Sequence, residues 1–262
     1  MQKNNIRNGL IIAVVTIIVL FFALKDDFSE KIGYLVSFNP WWLCLGVLLV
    51  IAYWLLKTLA LYYCTTKINP NYQLKKSWKL TLDTQFFNAI TPFSLGGQPY
   101  QIYRLKKQGF SLEQGMNIII QDCVVYQIAL IILGTIAIIA NYYFGIFPEN
   151  SLLKKLVFIG YLINLSVIVI LFIVAFNKRG NKLLLNFAIK VGAKLHLIKN
   201  KEAFLNRSNQ IISEFHDSAL LLMNSKWHFI KVIIINLFAL SLLYLVPFTL
   251  IMGLGEYLNP LV

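Results

Sequence analysis

At residues 91–99 the sequence reads Thr-Pro-Phe-Ser-Leu-Gly-Gly-Gln-Pro, between two segments of different character. Residues 78–90, before it, are largely apolar but too short to cross a bilayer. Residues 100–108, after it, form a basic amphipathic segment. Because two prolines and two adjacent glycines do not fit inside a regular helix, we expect the chain to break here. Such a break is either a plain turn between two surface helices or, in a membrane protein, a place where a polar ligand is handled.

The amino-acid composition indicates a membrane protein. Hydrophobic residues occupy 58% of the 262 positions and charged residues only 13%, and the mean hydropathy is +0.68. A soluble domain is about half apolar and about a quarter charged. We therefore predict an all-α, polytopic integral membrane protein that forms a single transmembrane domain over residues 1–262.

Apolar runs predict about five transmembrane helices, a re-entrant or broken helical hairpin at residues 77–113 and a cytoplasmic amphipathic region at residues 178–226. The amphipathic region either lies on the membrane interface or packs against another helix. The first apolar run follows Lys3 and Arg7, as in a signal peptide, but no small-residue cleavage site comes after it, so we interpret it as a retained helix. The five predicted spans are residues 9–24, 41–63, 114–142, 156–176 and 229–252.

The basic residues predict the orientation of these spans. With five spans, eighteen of the 24 lysines and arginines face one side, four face the other and two lie within spans, whereas the acidic residues are divided evenly. The positive-inside rule then places the N-terminus in the cytoplasm and the C-terminus outside a cell membrane. This distribution explains the net charge of +13 without a nucleic-acid partner. The basic face either attracts anionic lipid headgroups or only fixes the topology.

Cysteine and histidine give no sign of a metal or redox site. The three cysteines are widely spaced and lie in or beside apolar runs, which is the pattern of neither a disulfide framework nor a metal site. The three histidines have no ligand spacing to cysteines or acids. We therefore expect no metal and no cofactor. These residues are Cys44, Cys64, Cys123, His196, His216 and His228.

Residues 96–104 carry features of an anion-binding site. Pro99 favours the first turn of a helix, which makes Gln98 a candidate N-cap and directs free backbone N–H groups toward the glycines. Glycines let a phosphate approach the backbone, a helix N-terminus favours an anion, and Arg104 can fork onto a phosphate or carboxylate. The pattern is neither a P-loop nor a dinucleotide fingerprint. We predict a lipid-phosphate site formed by Thr91, Pro92, Ser94, Gly96, Gly97, Gln98 and Arg104.

Asp122 is the one acidic residue well inside a predicted span. A carboxylate there is costly and is usually paired or functional. Its candidate partners are Arg104 and Lys57, although Lys57 lies in the last turns of its predicted span and can instead extend to the membrane interface. Asp122 and Lys57 are thus predicted intramembrane charges, either in a functional site or as a structural ion pair. Asp83, in the segment before the break, is a weaker candidate.

Residues 91–99, with Tyr103-Arg104-Leu105, Gly109 and the acid-bearing span after them, resemble the lysylphosphatidylglycerol synthetase transmembrane family. This family is also called the flippase-like domain family and includes the membrane half of the multiple peptide resistance factor. The resemblance is strongest over about residues 77–130. It implies a polytopic helical domain that binds and translocates or presents anionic or aminoacylated phospholipid, phosphatidylglycerol or lysylphosphatidylglycerol, and so contributes to membrane charge and cationic peptide resistance.

The resemblance also implies an enzymatic alternative. In complete synthetases the membrane domain precedes a soluble acetyltransferase-like domain that moves lysine from lysyl-tRNA onto phosphatidylglycerol. The 262 residues carry neither such a domain nor a second break rich in proline and glycine, so we expect a truncated member that does not transfer lysine alone. Catalytic residues are not predicted. A secondary transporter or scaffold for another substrate is the third alternative, and a homo-oligomer is compatible with all three.

Overall fold

The computed structural model describes residues 36–91, 96–145, 151–176 and 226–255, together with Gly33, Ser94 and seven residues between 205 and 213. The predicted first span, Pro92 and most of the predicted amphipathic region lie outside the described residues. Within them the regular structure is helical, without a strand. The long helices are α1 (Pro40–Thr66), α2 (Leu74–Ile90), α3 (Gly97–Lys107), α4 (Leu112–Phe144), α5 (Ser151–Phe176) and α6 (Lys226–Gly253).

Four of these helices, α1, α4, α5 and α6, are long and apolar enough to cross a membrane. They coincide with the predicted spans 41–63, 114–142, 156–176 and 229–252. Long apolar stretches form helices in lipid because only a helix satisfies all its backbone hydrogen bonds within one segment. The prediction of an all-α, polytopic membrane protein is confirmed.

The predicted break in the hairpin is also present. Helix α2 ends at Ile90 and α3 begins at Gly97. The two helices run antiparallel. Phe87 near the end of α2 stacks on Tyr100 near the start of α3, with ring centroids 4.1 Å apart, and Tyr72, before α2, bonds to Gln108, after α3. Neither helix is among the candidate spans. Residues 74–107 therefore form a broken helical hairpin between the first and second spans that the structure describes.

A tight turn then leads from the hairpin into α4. Ser111 caps α4 by accepting from the backbone N–H of Gln114, whose side chain accepts in return from the Ser111 N–H. Gly109, at φ +96°, provides the left-handed residue that the turn requires. Phe110 is buried and packs edge-to-face against Tyr72, with centroids 5.6 Å apart. The direction of α4 relative to α3 is therefore fixed by local capping and by one aromatic contact.

The chain divides into two compact units. The larger, residues 48–245 with 259–262, holds the hairpin and the central core. That core joins side chains of five helices, so the hairpin packs as an integral part of this unit. Its most buried members include Leu61, Leu80, Leu105, Ile118 and Val232.

The smaller unit comprises residues 1–47 and 246–258. In its described part, the first turns of α1 meet the last turns of α6. The Asn39 N–H donates to the Gly253 carbonyl at 2.9 Å, and Trp42 packs edge-to-face on Phe248 with centroids 6.2 Å apart. A Cβ at Gly46 would lie 2.9 Å from Thr249 Oγ1. The glycine therefore permits close approach of these two helix ends.

Candidate functional site

A cavity of about 370 Å³ lies within the larger unit. It is lined by α1, α2, α3, α4 and Ser94 of the hairpin break. Hydroxyl and carboxamide groups dominate the wall on the hairpin side, so a ligand there would meet many hydrogen-bonding partners. Those hairpin residues are Thr81, Thr84, Gln85, Asn88, Ser94, Gln98 and Gln101.

An ion pair faces this cavity from the spanning helices. Lys57 Nζ of α1 lies 3.2 and 3.4 Å from the two carboxylate oxygens of Asp122 of α4. It also donates to Asn236 Oδ1 of α6 at 3.1 Å and lies 5.0 Å from the Tyr126 ring centroid. The two charged side chains are only 12% and 15% exposed. The one ammonium group therefore connects three helices.

Asn236 is held in position for this contact. Its Nδ2 donates to the Val232 carbonyl one turn earlier at 2.9 Å, which leaves Oδ1 to accept from Lys57. Asn236 is completely buried. Asn236 is not among the residues predicted from the sequence, although a polar residue in the apolar run 229–252 is the same kind of signal that singled out Asp122.

The structure shows which cation pairs with Asp122 and where the Lys57 ammonium group lies. Lys57 is the partner of Asp122, whereas Arg104 pairs elsewhere. The interpretation that Lys57 extends to the membrane interface was wrong, because α1 continues to Thr66 and the ammonium group is bound inside the larger unit. Pairing with Lys57 avoids the high cost of leaving the Asp122 carboxylate buried without a cation.

The backbone N–H groups of Gly96 and Gly97 are bonded within the hairpin. The Gly96 N–H donates to Thr91 Oγ1 at 2.9 Å, and the Gly97 N–H donates to Asn88 Oδ1 at 3.0 Å. Helix α3 begins at Gly97 with Gly96 as its N-cap, so the prediction that Gln98 is the cap was wrong. The physical reason is that the side chains of Asn88, in α2, and of Thr91, its C-cap, reach across the break and satisfy these donors.

Close packing of the two hairpin helices explains the paired glycines. A Cβ at Gly97 would overlap the Asn88 carboxamide and lie 2.7 Å from Thr84 Cγ2. At Gly96 it would lie 2.8 Å from Thr91 Oγ1 and 3.0 Å from the Phe87 carbonyl oxygen. Real Cβ atoms do not approach other atoms so closely. The glycines thus allow α3 to start directly against the end of α2.

Two of the predicted phosphate-binding residues reach the cavity itself. Ser94 lines it from a backbone at φ +56°, a conformation that is uncommon for residues other than glycine. Gln98 also lines it, and its Nε2 donates to Cys123 Sγ of α4 at 3.3 Å. Thr91 instead supports the hairpin, since its hydroxyl donates to the Phe87 carbonyl at 2.7 Å. Of the predicted phosphate-binding residues, the structure brings Ser94 and Gln98 together with Lys57 and Asp122.

Arg104 is not among the residues that line this cavity. Its Nε lies 3.8 Å from Asp83 Oδ2, and the same carboxylate oxygen accepts from the Tyr100 hydroxyl at 2.9 Å. Burial, together with this hydrogen bond to Asp83, raises the pKa of Tyr100. Both side chains of the Arg104–Asp83 pair are 28% exposed. The two ion pairs of the described residues therefore differ in setting, one at the cavity and one away from its lining.

Two buried polar side chains, one of them on the cavity wall, have no hydrogen-bond partner within the described residues. Thr81 lines it and is 3% exposed, and its hydroxyl has no hydrogen-bond partner in the described part of the chain. Gln121, beside Asp122 on α4, is fully buried with both ends of its carboxamide unpaired there. Buried polar groups normally have partners, so an unpaired hydroxyl on a cavity wall is available to a ligand or water.

A family model matches nearly the whole sequence. The family model described as the lysylphosphatidylglycerol synthase TM region matches residues 9–262. The chain belongs to this family. Comparisons with curated proteins and with solved structures gave no match. As a member of the lysylphosphatidylglycerol synthase TM-region family, the protein is a multi-pass membrane protein related to lysylphosphatidylglycerol synthesis.

Proposed function

We propose that this protein binds the headgroup of phosphatidylglycerol or lysylphosphatidylglycerol in the cavity and translocates or presents that lipid. The observation that carries the proposal is the Lys57–Asp122 ion pair on the wall of a polar cavity of about 370 Å³. Membership of a lysylphosphatidylglycerol synthase family supports the choice of lipid. The resulting activity would change membrane surface charge.

The energetics of the ion pair favour a role beyond stability. Replacing a buried ion pair by apolar residues is often neutral or stabilising by about 1–4 kcal/mol. A pair inside a membrane protein is therefore weakly explained by stability, whereas a pair beside a cavity can exchange partners with a charged ligand. Lys57 would donate to the lipid phosphate, and Asp122 would accept from the lysyl ammonium group. With lysylphosphatidylglycerol, each of the two protein charges thus regains a partner of opposite charge, which limits the cost of opening the original bridge.

The amide-rich wall completes the site for such a headgroup. Gln85, Asn88 and Gln101 from the hairpin face the cavity, opposite the charges on α1 and α4. Carboxamides donate and accept, so they suit the glycerol hydroxyls and ester oxygens of phosphatidylglycerol. The Thr81 hydroxyl, unpaired within the described residues, adds one more group for this purpose.

The test is transport in reconstituted vesicles. Lysylphosphatidylglycerol is placed in one leaflet, and its appearance in the other is followed with a membrane-impermeant amine reagent. The double variant Lys57→Met/Asp122→Asn removes both charges together, so no isolated charge is left buried. We expect at least about a tenfold loss of protein-dependent transport, equivalent to one charge-assisted contact of about 1.4 kcal/mol. Thermal unfolding and gel filtration check that the variant is folded.

The second ion pair provides a matched control. The variant Asp83→Asn/Arg104→Gln also removes one bridge, but from outside the cavity lining. We expect it to retain most of the transport. If Arg104 holds the lipid phosphate, as predicted from the sequence, this variant should instead lose transport. If this variant loses transport and the folded Lys57→Met/Asp122→Asn protein keeps it, the cavity proposal is overturned in favour of the Arg104 site.

A further inference from the structure

A second, apolar cavity lies between α4 and α5. This groove has a volume of about 190 Å³. Its lining includes Leu130, Ile131, Gly134 and Ile138 of α4, with Val157 and Tyr161 of α5 facing them. The Lys154–Ile173 stretch of α5 has no buried residue, so this helix packs loosely. The groove is therefore lined by side chains that suit a hydrocarbon.

The polar atoms beside the groove are satisfied within the chain. The Tyr161 hydroxyl lies 2.8 Å from Thr135 Oγ1, which itself donates to the Ile131 carbonyl at 2.8 Å. Asn164 Nδ2 donates to the Gly160 carbonyl at 2.9 Å, and its Oδ1 accepts from Gln127 Nε2 at 3.1 Å. These polar side chains therefore already have partners within the chain, and an apolar ligand in the groove would leave none of them unpaired.

The groove begins where the polar cavity ends. Gln127 lines the polar cavity, Asn164 lines the groove, and their side chains are hydrogen-bonded to each other. One amide pair thus stands between the two spaces. If the polar head of a lipid lay in the cavity, its apolar tail would extend past this amide pair and continue along α4.

The groove covers much of the depth of one lipid leaflet. Its lining on α4 runs from Leu130 to Ile138, eight residues, or about 12 Å at the helical rise of about 1.5 Å per residue. The hydrocarbon core of a bilayer is about 30 Å thick, so one leaflet contributes about 15 Å. The groove can therefore accommodate part of a single acyl chain laid parallel to α4.

We propose that the groove between α4 and α5 binds one acyl chain of the lipid whose headgroup occupies the polar cavity, an inference that rests on the proposed function. The chain then points from the first half of α4 toward its C-terminal end. In the orientation predicted from the basic residues, α4 starts on the cytoplasmic side. The bound lipid would have the polarity of a lipid taken from the cytoplasmic leaflet.

Gly134 offers a direct test of this site. A Cβ there would lie 3.4 Å from Tyr161 Cδ2, at the floor of the groove, whereas a Cβ at Gly160 of α5 meets nothing within 4 Å. Gly134→Leu therefore fills the groove, and Gly160→Leu is a matched glycine-to-leucine control. Ala137→Phe fills the groove from an exposed position one turn further on, in case Gly134→Leu is poorly folded.

The experiment compares binding of two phosphatidylglycerols, with sixteen-carbon or eight-carbon chains, to the purified protein by native mass spectrometry. We expect wild type to prefer the long-chain lipid, and Gly134→Leu or Ala137→Phe to reduce long-chain binding by about tenfold, equivalent to lost contact with about two methylene groups. Short-chain binding and the Gly160→Leu protein should be unchanged. Equal binding of both lipids to wild type, or equal losses in Gly134→Leu and Gly160→Leu, would mean that ordinary annular lipid fills the groove and would overturn the inference.

The headgroup proposal is separated from the groove proposal by the same measurements. If the headgroup site exists and the groove is not an acyl site, Lys57→Met/Asp122→Asn lowers binding of both lipids while Gly134→Leu lowers neither. If the headgroup proposal itself fails, Lys57→Met/Asp122→Asn leaves the short-chain lipid bound as in wild type.

Discussion

Lys57 is a charged residue in the middle of an apolar helix, and its environment makes that position tolerable. Asp122 supplies the opposite charge and Asn236 a neutral acceptor, so the ammonium group has hydrogen-bond partners on two neighbouring helices. In a low-dielectric interior each partner depends on the other, because a single buried charge has no solvent to compensate it. Replacing one residue of the pair should therefore lower the free energy of unfolding much more than replacing both.

Substitutions in this ion pair should show that dependence. We expect Lys57→Met to lower the free energy of unfolding by about 3–5 kcal/mol, because it leaves Asp122 buried without a cation. The double variant Lys57→Met/Asp122→Asn should regain most of that loss. Thermal unfolding in detergent measures both. A double variant no more stable than Lys57→Met would argue against the pairing seen here.

The glycines of the break provide a second test at single residues. Gly97→Ala should lower the free energy of unfolding by about 1–3 kcal/mol, because the added Cβ overlaps the Asn88 carboxamide. Gly160→Ala is the matched control, since its Cβ meets nothing within 4 Å and alanine favours a helix over glycine by about 1 kcal/mol. Equal thermal stability of the two variants would contradict the close approach of α3 to α2.

Among the helices, α2 and α3 show how a hairpin of two short helices becomes part of the core. At the break, the Asn88 and Thr91 side chains accept hydrogen bonds from the N–H groups of Gly97 and Gly96, at the start of α3. At the other end of α3, the Tyr72 hydroxyl donates to Gln108 Oε1 at 2.8 Å and ties the loop before α2 to the end of α3. The hairpin is thus fastened at both ends, which allows its middle to line a cavity.

The burial of Tyr72 makes stability depend on pH. Burial raises the pKa of Tyr72 to about 12 from the ordinary 10.0, although Arg104 opposes the shift. The neutral phenol therefore stabilises the fold fully below pH 10, and this contribution is lost as the pH rises from about 10 to about 12. In thermal unfolding from pH 8 to pH 11, wild type should lose stability above pH 10 more steeply than Tyr72→Phe. Parallel curves would contradict the raised pKa.

For the whole molecule, the distribution of charge predicts how it lies in the membrane. Lysines and arginines cluster on one side of the predicted spans, while the acidic residues do not. Translocation machinery responds to this bias in basic residues, so the loop that carries the hairpin should stay in the cytoplasm. The same basic face would meet anionic lipid there, at the membrane surface from which the proposed ligand comes.

Single cysteines can test this orientation in intact cells. With Cys44, Cys64 and Cys123 replaced by serine, Lys106→Cys at the end of α3 should react with an impermeant thiol reagent only after the cells are permeabilised. Tyr142→Cys at the far end of α4, 83% exposed in wild type, should react in intact cells. The reverse pattern would invert the predicted topology and, with it, the leaflet proposed as the source of lipid.

How much the sequence could predict depends on whether a feature arises locally. Hydropathy alone located the four described spans, because a helix in lipid must satisfy its own backbone over a fixed length. Pro and Gly alone located the break between α2 and α3. The cap of α3 was misplaced because its acceptor Asn88 comes from the preceding helix, nine residues away.

The site itself depended on distant residues. Asp122 stands out in the sequence as a costly charge, but Arg104 and Lys57 remain alternative partners there, because nothing local tells which of two cations the fold brings to a carboxylate. The packing of α1 against α4 and α6 selected Lys57, 65 residues away, and added Asn236, 179 residues from Lys57. Membrane insertion follows from properties of each segment, whereas the identity of a binding site follows from which faces of separate helices meet, and only folding brings those faces together.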